Sequence, residues 1–137
     1  MNQEEFQKII EKKEIERKGL EGFLKSRILD PSTLREIMQP NYETFEFELC
    51  KMVLFLEEAK KAADKGEVEE TVHILGAGAR VQKDVVYGVM FRIFGINLES
   101  SYSKSLRDYV MNKYQKEERK CLEIIKRQVV EELRRRK

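Results

Sequence analysis

The amino-acid sequence predicts an all-α protein, a helical bundle of about four long helices plus one short helix. Charged residues make up 38% of the 137 residues, and most of them are Glu, Lys and Arg, which favour helices. Only two prolines interrupt the chain, and apolar residues recur at helical spacing over long stretches. A single domain over residues 1–137 is expected, because this length suffices to bury one core.

The first helix is predicted over about 3–28. Its apolar side consists of Phe6, Ile9, Ile10, Leu20, Phe23, Leu24 and Ile28. The middle of this helix, EKKEIERKG, contains Ile15 as its only apolar residue. We therefore expect this part either to be exposed or to lie close to a bend at Gly19 and Gly22.

A short helix is predicted over about 31–38. Asp30 is a good N-cap, and Pro31 fits the first helical position because that position needs no backbone N–H. Pro40 ends the segment, since the residue before a proline avoids the helical conformation.

The third helix begins near Tyr42 and shows the clearest periodicity. Apolar residues follow one another at steps of four and three and form one seam: Phe45, Leu49, Met52, Leu56, Ala59 and Ala63. Residues 45–49, FEFEL, also alternate with period two, so a short strand is an alternative there. Gly66 is expected just beyond the end of the helix.

The fourth helix is predicted over about 67–94, before Gly95, and includes the stretch VHILGAGARVQKDVVYGVMF. Its apolar residues form one stripe of Val68, Val72, Leu75, Ala79, Val86, Val89 and Ile93. A second stripe consists of Ile74, Gly78, Val81, Val85 and Gly88. A helix that is apolar around most of its circumference is typical of the centre of a bundle. Gly76, Gly78 and Gly88 are predicted helix-packing positions, where another helix approaches or the helix bends.

The glycines do not match a phosphate-binding loop. A dinucleotide fingerprint would need a third glycine at position 81, which is Val81, and a strand before the loop. A Walker loop needs Gly-Lys-Ser or Gly-Lys-Thr, and neither tripeptide occurs. The sequence therefore indicates no nucleotide cofactor.

A polar strip on the same helix is the one candidate for an active site. It consists of Glu69, His73, Arg80, Asp84 and Tyr87. Such a strip is more often the solvent side of a helix, and no partners for a catalytic triad can be chosen, so we predict no catalytic residue. The single histidine and two isolated cysteines, Cys50 and Cys121, also indicate no metal site.

The last helix is predicted from about 103 to near the end of the chain. Leu106, Val110, Tyr114, Cys121, Ile125 and Leu133 lie near one face. Its centre, QKEERK at 115–120, contains no apolar residue and should be exposed on most sides. This helix is the one that could project beyond the bundle.

The charge of the chain is distributed unevenly. Residues 41–70 contain 4 basic and 9 acidic residues, whereas residues 100–137 contain 12 basic and 6 acidic residues. Clustered lysine and arginine neutralise phosphates, so the last helix is a candidate nucleic-acid-binding element. The candidate residues are Lys104, Arg107, Lys113, Lys116, Arg119, Lys120, Arg134, Arg135, Arg136 and Lys137. Tyr102, Tyr109 and Tyr114 are interleaved with the first of them.

Two other interpretations of this charge pattern stay open. Cations near a helix C-terminus and Glu/Lys pairs four residues apart stabilise the helix itself. Alternatively, the acidic third helix of one copy could face the basic last helix of another copy.

Residues 55–96, FLEEAKKAADKGEVEETVHILGAGARVQKDVVYGVMFRIFGI, resemble the helical hairpin of HEPN-type domains. The resemblance covers about a third of the chain and consists of the polar turn AKKAADKG and a long helix that contains alanine and glycine and ends at FGI. Members of this family are small four-helix proteins, often partners of nucleotidyltransferases or RNA-cleaving toxins. Their nuclease signature, an arginine four to six residues before a histidine, does not occur at His73. The resemblance therefore implies a helical domain without nuclease activity.

The remaining features concern the cellular location. The chain has no run of about 20 apolar residues, so no membrane partner is expected. The N-terminus is charged from the start, and unpaired cysteines are typical of a reducing compartment, so a cytoplasmic location is expected.

We therefore expect a non-enzymatic interaction module that binds DNA or RNA through its last helix and forms a homo-oligomer or joins a larger assembly. The alternative is a self-assembling or protein-binding helical subunit without a role in nucleic-acid binding.

Overall fold

The computed structural model describes residues 2–95 and 97–136, and these form helices connected by short turns. The helices are α1 (Gln3–Ser26), α2 (Pro31–Met38), α3 (Tyr42–Asp64), α4 (Val68–His73), α5 (Val81–Phe94) and α6 (Ser101–Arg135). A π-helical segment (Ile74–Arg80) joins α4 to α5, and the three form one continuous helix, which we call helix 68–94. The predicted all-α bundle of four long helices and one short helix is confirmed. Residues 45–49 lie within α3, so the strand alternative is wrong.

The helix boundaries follow from local capping chemistry. The Asp30 carboxylate accepts hydrogen bonds from the backbone N–H of Ser32 at 3.1 Å and from the hydroxyl of Thr33 at 2.6 Å. The Ser100 hydroxyl accepts a hydrogen bond from the backbone N–H of Ser103 at the start of α6. Gly66 has a φ of +78°, which suits a glycine after a helix C-terminus. The predicted positions of Asp30 and Gly66 are thus confirmed.

Helix α3 occupies the centre of the bundle. It contacts α1, all three segments of helix 68–94, and α6. Every residue of its predicted seam is buried, from Phe45 to Ala63, together with Tyr42 and Cys50 on neighbouring positions. The prediction that helix 68–94 is the central helix is therefore wrong. Other helices pack against α3 on several sides, and helix 68–94 is one of them.

Helix 68–94 buries the middle of one apolar stripe and exposes much of the other. Leu75, Ala79, Val86 and Val89 of the first stripe are in the core. In the second stripe, Gly78 is buried, whereas Val81, Val85 and Gly88 are exposed. No helix of this chain covers these outer positions among the described residues. Apolar residues around a helix predict that its surface is buried. The pattern does not specify which helix or partner buries it.

The glycines of helix 68–94 have different environments. A Cβ added to Gly78 would lie 2.7 Å from the ring of Phe55 on α3, so the two helices approach closely at this point. A Cβ at Gly76 or Gly88 would have no atom within 4 Å, and both glycines are exposed. Among the described residues, a neighbouring helix therefore approaches closely at Gly78 but not at Gly76 or Gly88, and Gly76 lies within the π-helical segment.

The close approach at Gly78 gives the first testable prediction. Gly78→Ala should lower the free energy of unfolding by about 1–2 kcal/mol, because the new methyl group overpacks against the Phe55 ring. Gly88→Ala is the matched control and should raise stability by about 0.5–1 kcal/mol, since Gly88 is helical and unobstructed. Urea unfolding measures both changes. Equal changes for the two variants would contradict the contact.

Helix α1 is attached to the bundle largely by charged groups. Its buried apolar residues are few, namely Ile9, Leu20 and Leu24. The guanidinium of Arg17 forms two hydrogen bonds with the carboxylate of Glu46, at 2.6 and 2.5 Å, and Glu46 is only 2% exposed. The helix runs without interruption through Gly19 and Gly22. Ile15 is exposed, whereas the neighbouring Glu16 is buried, so this part of α1 is exposed on one side only.

The two cysteines are buried and unpaired. Cys50 lies in α3 next to two buried carboxylates, those of Glu16 and Glu46. Burial, reinforced by these carboxylates, raises the pKa of the Cys50 thiol to about 12.

The raised pKa of Cys50 predicts a loss of stability at alkaline pH. An unfolded thiol ionises near pH 8.5, whereas the folded thiol stays protonated up to about pH 12. The stability contributed by the neutral thiol is therefore complete below pH 8.5 and is lost as the pH rises towards 12. Between these values Cys50→Ala should reduce the slope of unfolding free energy against pH by about 1.4 kcal/mol per pH unit. Unchanged slopes above pH 9 would contradict this assignment, and at pH 6–7 the two slopes should coincide.

Candidate nucleic-acid interface

The outward side of α6 forms a continuous basic surface, which we call the outer face. Six exposed cations lie on it at steps of three, one, six, one and seven residues: Lys116, Arg119, Lys120, Lys126, Arg127 and Arg134. Two carboxylates, those of Glu123 and Glu131, lie between them. At 1.5 Å per residue, the distance from Lys116 to Arg134 along the helix is about 27 Å. The outer face is therefore a straight, mainly cationic strip.

Most cations of the outer face have no protein partner. Lys120 forms an ion pair with Glu117 at 3.3 Å, one turn earlier on the same helix. Within residues 2–95 and 97–136, Lys116, Arg119, Lys126, Arg127 and Arg134 form no ion pair. Their charges point into solvent and are accessible to an anionic ligand.

Two of the predicted residues, Lys104 and Arg107, lie near the start of α6 and have protein partners. The ammonium of Lys104 is 3.0 Å from the carboxylate of Glu99. The guanidinium of Arg107 donates a hydrogen bond to the backbone carbonyl of Leu98 at 2.6 Å. These contacts connect α6 to Leu98 and Glu99, two of the residues that precede it.

Lys113, another predicted nucleic-acid-binding residue, has a protein partner on α1. Its ammonium forms an ion pair with Glu16, a carboxylate of α1 that is only 5% exposed. Lys12 lies on the other side of the same carboxylate, at 4.0 Å. Lys113 therefore neutralises a buried charge between α1 and α6, which accounts for this cation within the fold.

The cations at the end of α6 differ among themselves. Arg134 belongs to the outer face. Arg135 lies 4.0 Å from Glu131, and Arg136 lies 3.3 Å from Glu132, each four residues earlier. Intrahelical pairing accounts for these two residues, as one of the open interpretations proposed. Lys137 is outside the described residues.

Lys126 and Arg127 extend the outer face but were not among the predicted site residues. Both are exposed, and they follow Arg119 and Lys120 by seven residues, or two helical turns. This spacing was available in the sequence. Lys113 precedes Lys120 by the same seven residues, so only its partner Glu16, and not the spacing, distinguishes it from the cations of the outer face.

The tyrosines of α6 contribute little to the outer face. Tyr114 is buried, with the Lys83 ammonium 4.8 Å from the centre of its ring, and burial raises the pKa of its phenol to about 12. Tyr109 is partly buried and packs on Phe23 of α1. Neither ring is placed for stacking on bases, so the outer face offers charge and hydrogen-bond donors.

The polar strip of helix 68–94 does not converge on a pocket. Glu69, His73, Arg80 and Asp84 are exposed. Tyr87 is partly buried and lines a shallow groove with Arg107, apart from the others. Among the described residues, no group of three or more His, Cys, Asp or Glu side chains is arranged to hold a metal ion.

No protein-family model, curated protein or solved structure matches this chain. The hairpin of α3 and helix 68–94 is present, and the resemblance to HEPN-type domains stays an untested hypothesis. Within the described part of the chain, no helix has the combination of length and apolar character that a membrane span requires.

The different environments of Lys113 and Lys116 can be tested by a matched pair of variants. Lys113→Gln should lower the free energy of unfolding by about 3 kcal/mol, because the buried Glu16 carboxylate loses its main partner. Lys116→Gln lies one turn further along α6 in solvent and should change stability by less than about 0.5 kcal/mol. Urea unfolding at neutral pH measures both. Similar stability of the two variants would show that Lys113 does not neutralise Glu16.

Proposed function

We propose that the protein is an interaction module that binds nucleic acid through the outer face of α6. The proposal is based on one observation, the straight strip of six exposed cations with five of them unpaired among the described residues. Duplex DNA carries one negative charge per ~1.7 Å of its axis, so a strip about 27 Å long faces many phosphates at once. A single small anion would engage only part of this strip.

The shape of the outer face favours the nucleic-acid backbone as its target. It is the convex side of one helix, with cations on successive turns and no exposed aromatic ring among its members. Contacts of lysine and arginine with phosphates fix position but carry no sequence information. We therefore propose binding without strong sequence preference, with arginine and lysine side chains on phosphates.

The interleaved carboxylates should limit the affinity. Glu123 lies between Lys120 and Lys126, and Glu131 lies between Arg127 and Arg134. Each carboxylate repels the phosphate nearest to it. Binding should weaken as the salt concentration rises, with a slope set by the number of phosphates that the six cations contact.

A pair of double variants tests the proposal. Arg119→Gln/Lys120→Gln removes two adjacent cations of the outer face. Arg92→Gln/Lys8→Gln also removes one arginine and one lysine, but at exposed positions of α5 and α1. Fluorescence anisotropy with a labelled 20-bp DNA duplex, and separately with single-stranded RNA, gives the dissociation constant at several salt concentrations.

The outer-face variant should bind more weakly, and the slope of log affinity against log salt should become less steep by about 1.8 on duplex DNA. The variant with remote substitutions has the same net charge and should keep the wild-type slope. Equal losses in the two variants would attribute binding to net charge alone and contradict a defined face. Absence of binding to both probes at low salt would overturn the proposal.

A further inference from the structure

A second surface with binding potential is a groove between helix 68–94 and the second half of α6. One wall carries Val72, Leu75 and Gly76, and the facing wall carries Leu122. This part has a volume of about 210 Å³. Nearby, a wider groove of about 750 Å³ is lined by residues that include Val68, Val129 and Leu133. The described chain leaves both grooves open.

The apolar side chains in these grooves are unusually exposed. Val72 is 52% exposed, Leu122 44%, Val129 43% and Leu133 55%. Gly76 has no atom within 4 Å of the position of a Cβ, so another backbone can approach this wall closely. Two helices with apolar walls and a space between them form the type of groove that accommodates a further helix.

The accessible surface area of the chain is larger than that of a typical folded monomer of the same mass. The accessible surface is 8774 Å² for a mass of 16.3 kDa. A folded monomer of this mass exposes about 7,500 Å². The excess of roughly 1,300 Å² is larger than the ~800 Å² that each partner contributes to a standard protein interface. A standard interface would therefore cover more than half of the excess area.

The charges around the wide groove suit a second copy of the same chain. Its lining includes the acidic residues Asp64, Glu69 and Glu132 and the basic residues Lys65, Arg135 and Arg136. A two-fold axis places the same surface on both sides of an interface, so each basic group can face an acidic group of the other copy. A surface of one sign would repel itself, and nucleic acid would be repelled by the acidic part.

We propose that two copies of the chain associate through this groove, with the last two turns of α6 of each copy packed against the groove of the other. The exposed apolar residues of these turns, Val129 and Leu133, are then covered together with Val72 and Leu122. The outer face of α6 carries its cations on other positions of the helix and stays accessible. The proposal is independent of nucleic-acid binding.

Two pairs of valines with similar exposure, one in the groove and one outside it, provide a matched test of the dimer interface. Val72→Glu/Val129→Glu places charges in the groove. Val81→Glu/Val85→Glu introduces the same charges on the outer side of α5, where the two valines are 53% and 39% exposed. Sedimentation equilibrium of the wild type and both variants, at micromolar to hundred-micromolar concentration, gives the mass of the particle. Circular dichroism verifies that each variant is folded.

The wild type and the α5 variant should sediment as dimers, and the groove variant should dissociate with a dissociation constant raised at least 100-fold. A wild type that stays monomeric at the highest concentration overturns the proposal, as does dissociation of the α5 variant alone. If the groove variant does not fold, Leu133→Glu provides the same test, because the Leu133 side chain is 55% exposed and its replacement should not disturb the core. Anisotropy with the DNA duplex separates the two proposals, since Arg119→Gln/Lys120→Gln should lose DNA binding and still form the dimer.

Discussion

The apolar seam of α3 determines the arrangement of all the other long helices. Its side chains alternate at steps of four and three, and they point to more than one side as the helix advances. Three long helices can pack around it only if each supplies apolar groups to a different sector. α1, helix 68–94 and α6 do so, and α3 consequently has buried residues along its whole length, from Tyr42 to Ala63. The surfaces available for binding lie on the outer sides of these surrounding helices.

The charged groups on the inner sides have a structural role that affects the interpretation of the surface. Glu16 and Glu46 are buried between helices, and each needs a cation, which Lys113 and Arg17 supply. A buried carboxylate without a partner would destabilise the fold by several kcal/mol, whereas the paired carboxylate mainly specifies how α1 is positioned. The number of basic residues on α6 therefore overstates the number that is free to bind a ligand. Lys113 pairs with α1, Lys104 and Arg107 contact the residues before α6, and Lys120, Arg135 and Arg136 form pairs within the helix.

Most of the secondary structure could be predicted from the sequence because its signals are local. Asp30, Pro31 and Gly66 define helix ends through contacts with their immediate neighbours. The tertiary arrangement could not be predicted in the same way. The exposed side of helix 68–94 has the same apolar pattern as a buried side, and the difference depends only on which helices are present. In the candidate site, Arg119 and Lys120 lie on the outer face as the sequence indicated, whereas the pairing of Lys113 with Glu16 could not be predicted, because the two residues are 97 positions apart along the chain.

The end of α6 has a further consequence for the cooperativity of the molecule. Gln128 donates a hydrogen bond to the carbonyl of Ala63, and every described side chain beyond it is exposed. These last two turns are stabilised mainly by their own backbone hydrogen bonds, and isolated helical segments of that length are marginal in water. They can fray and re-form while the core stays intact, so their amide protons exchange with solvent by local opening rather than by global unfolding. A ligand or partner at this end then acts on a helix–coil equilibrium, and part of its binding free energy is used to order the chain.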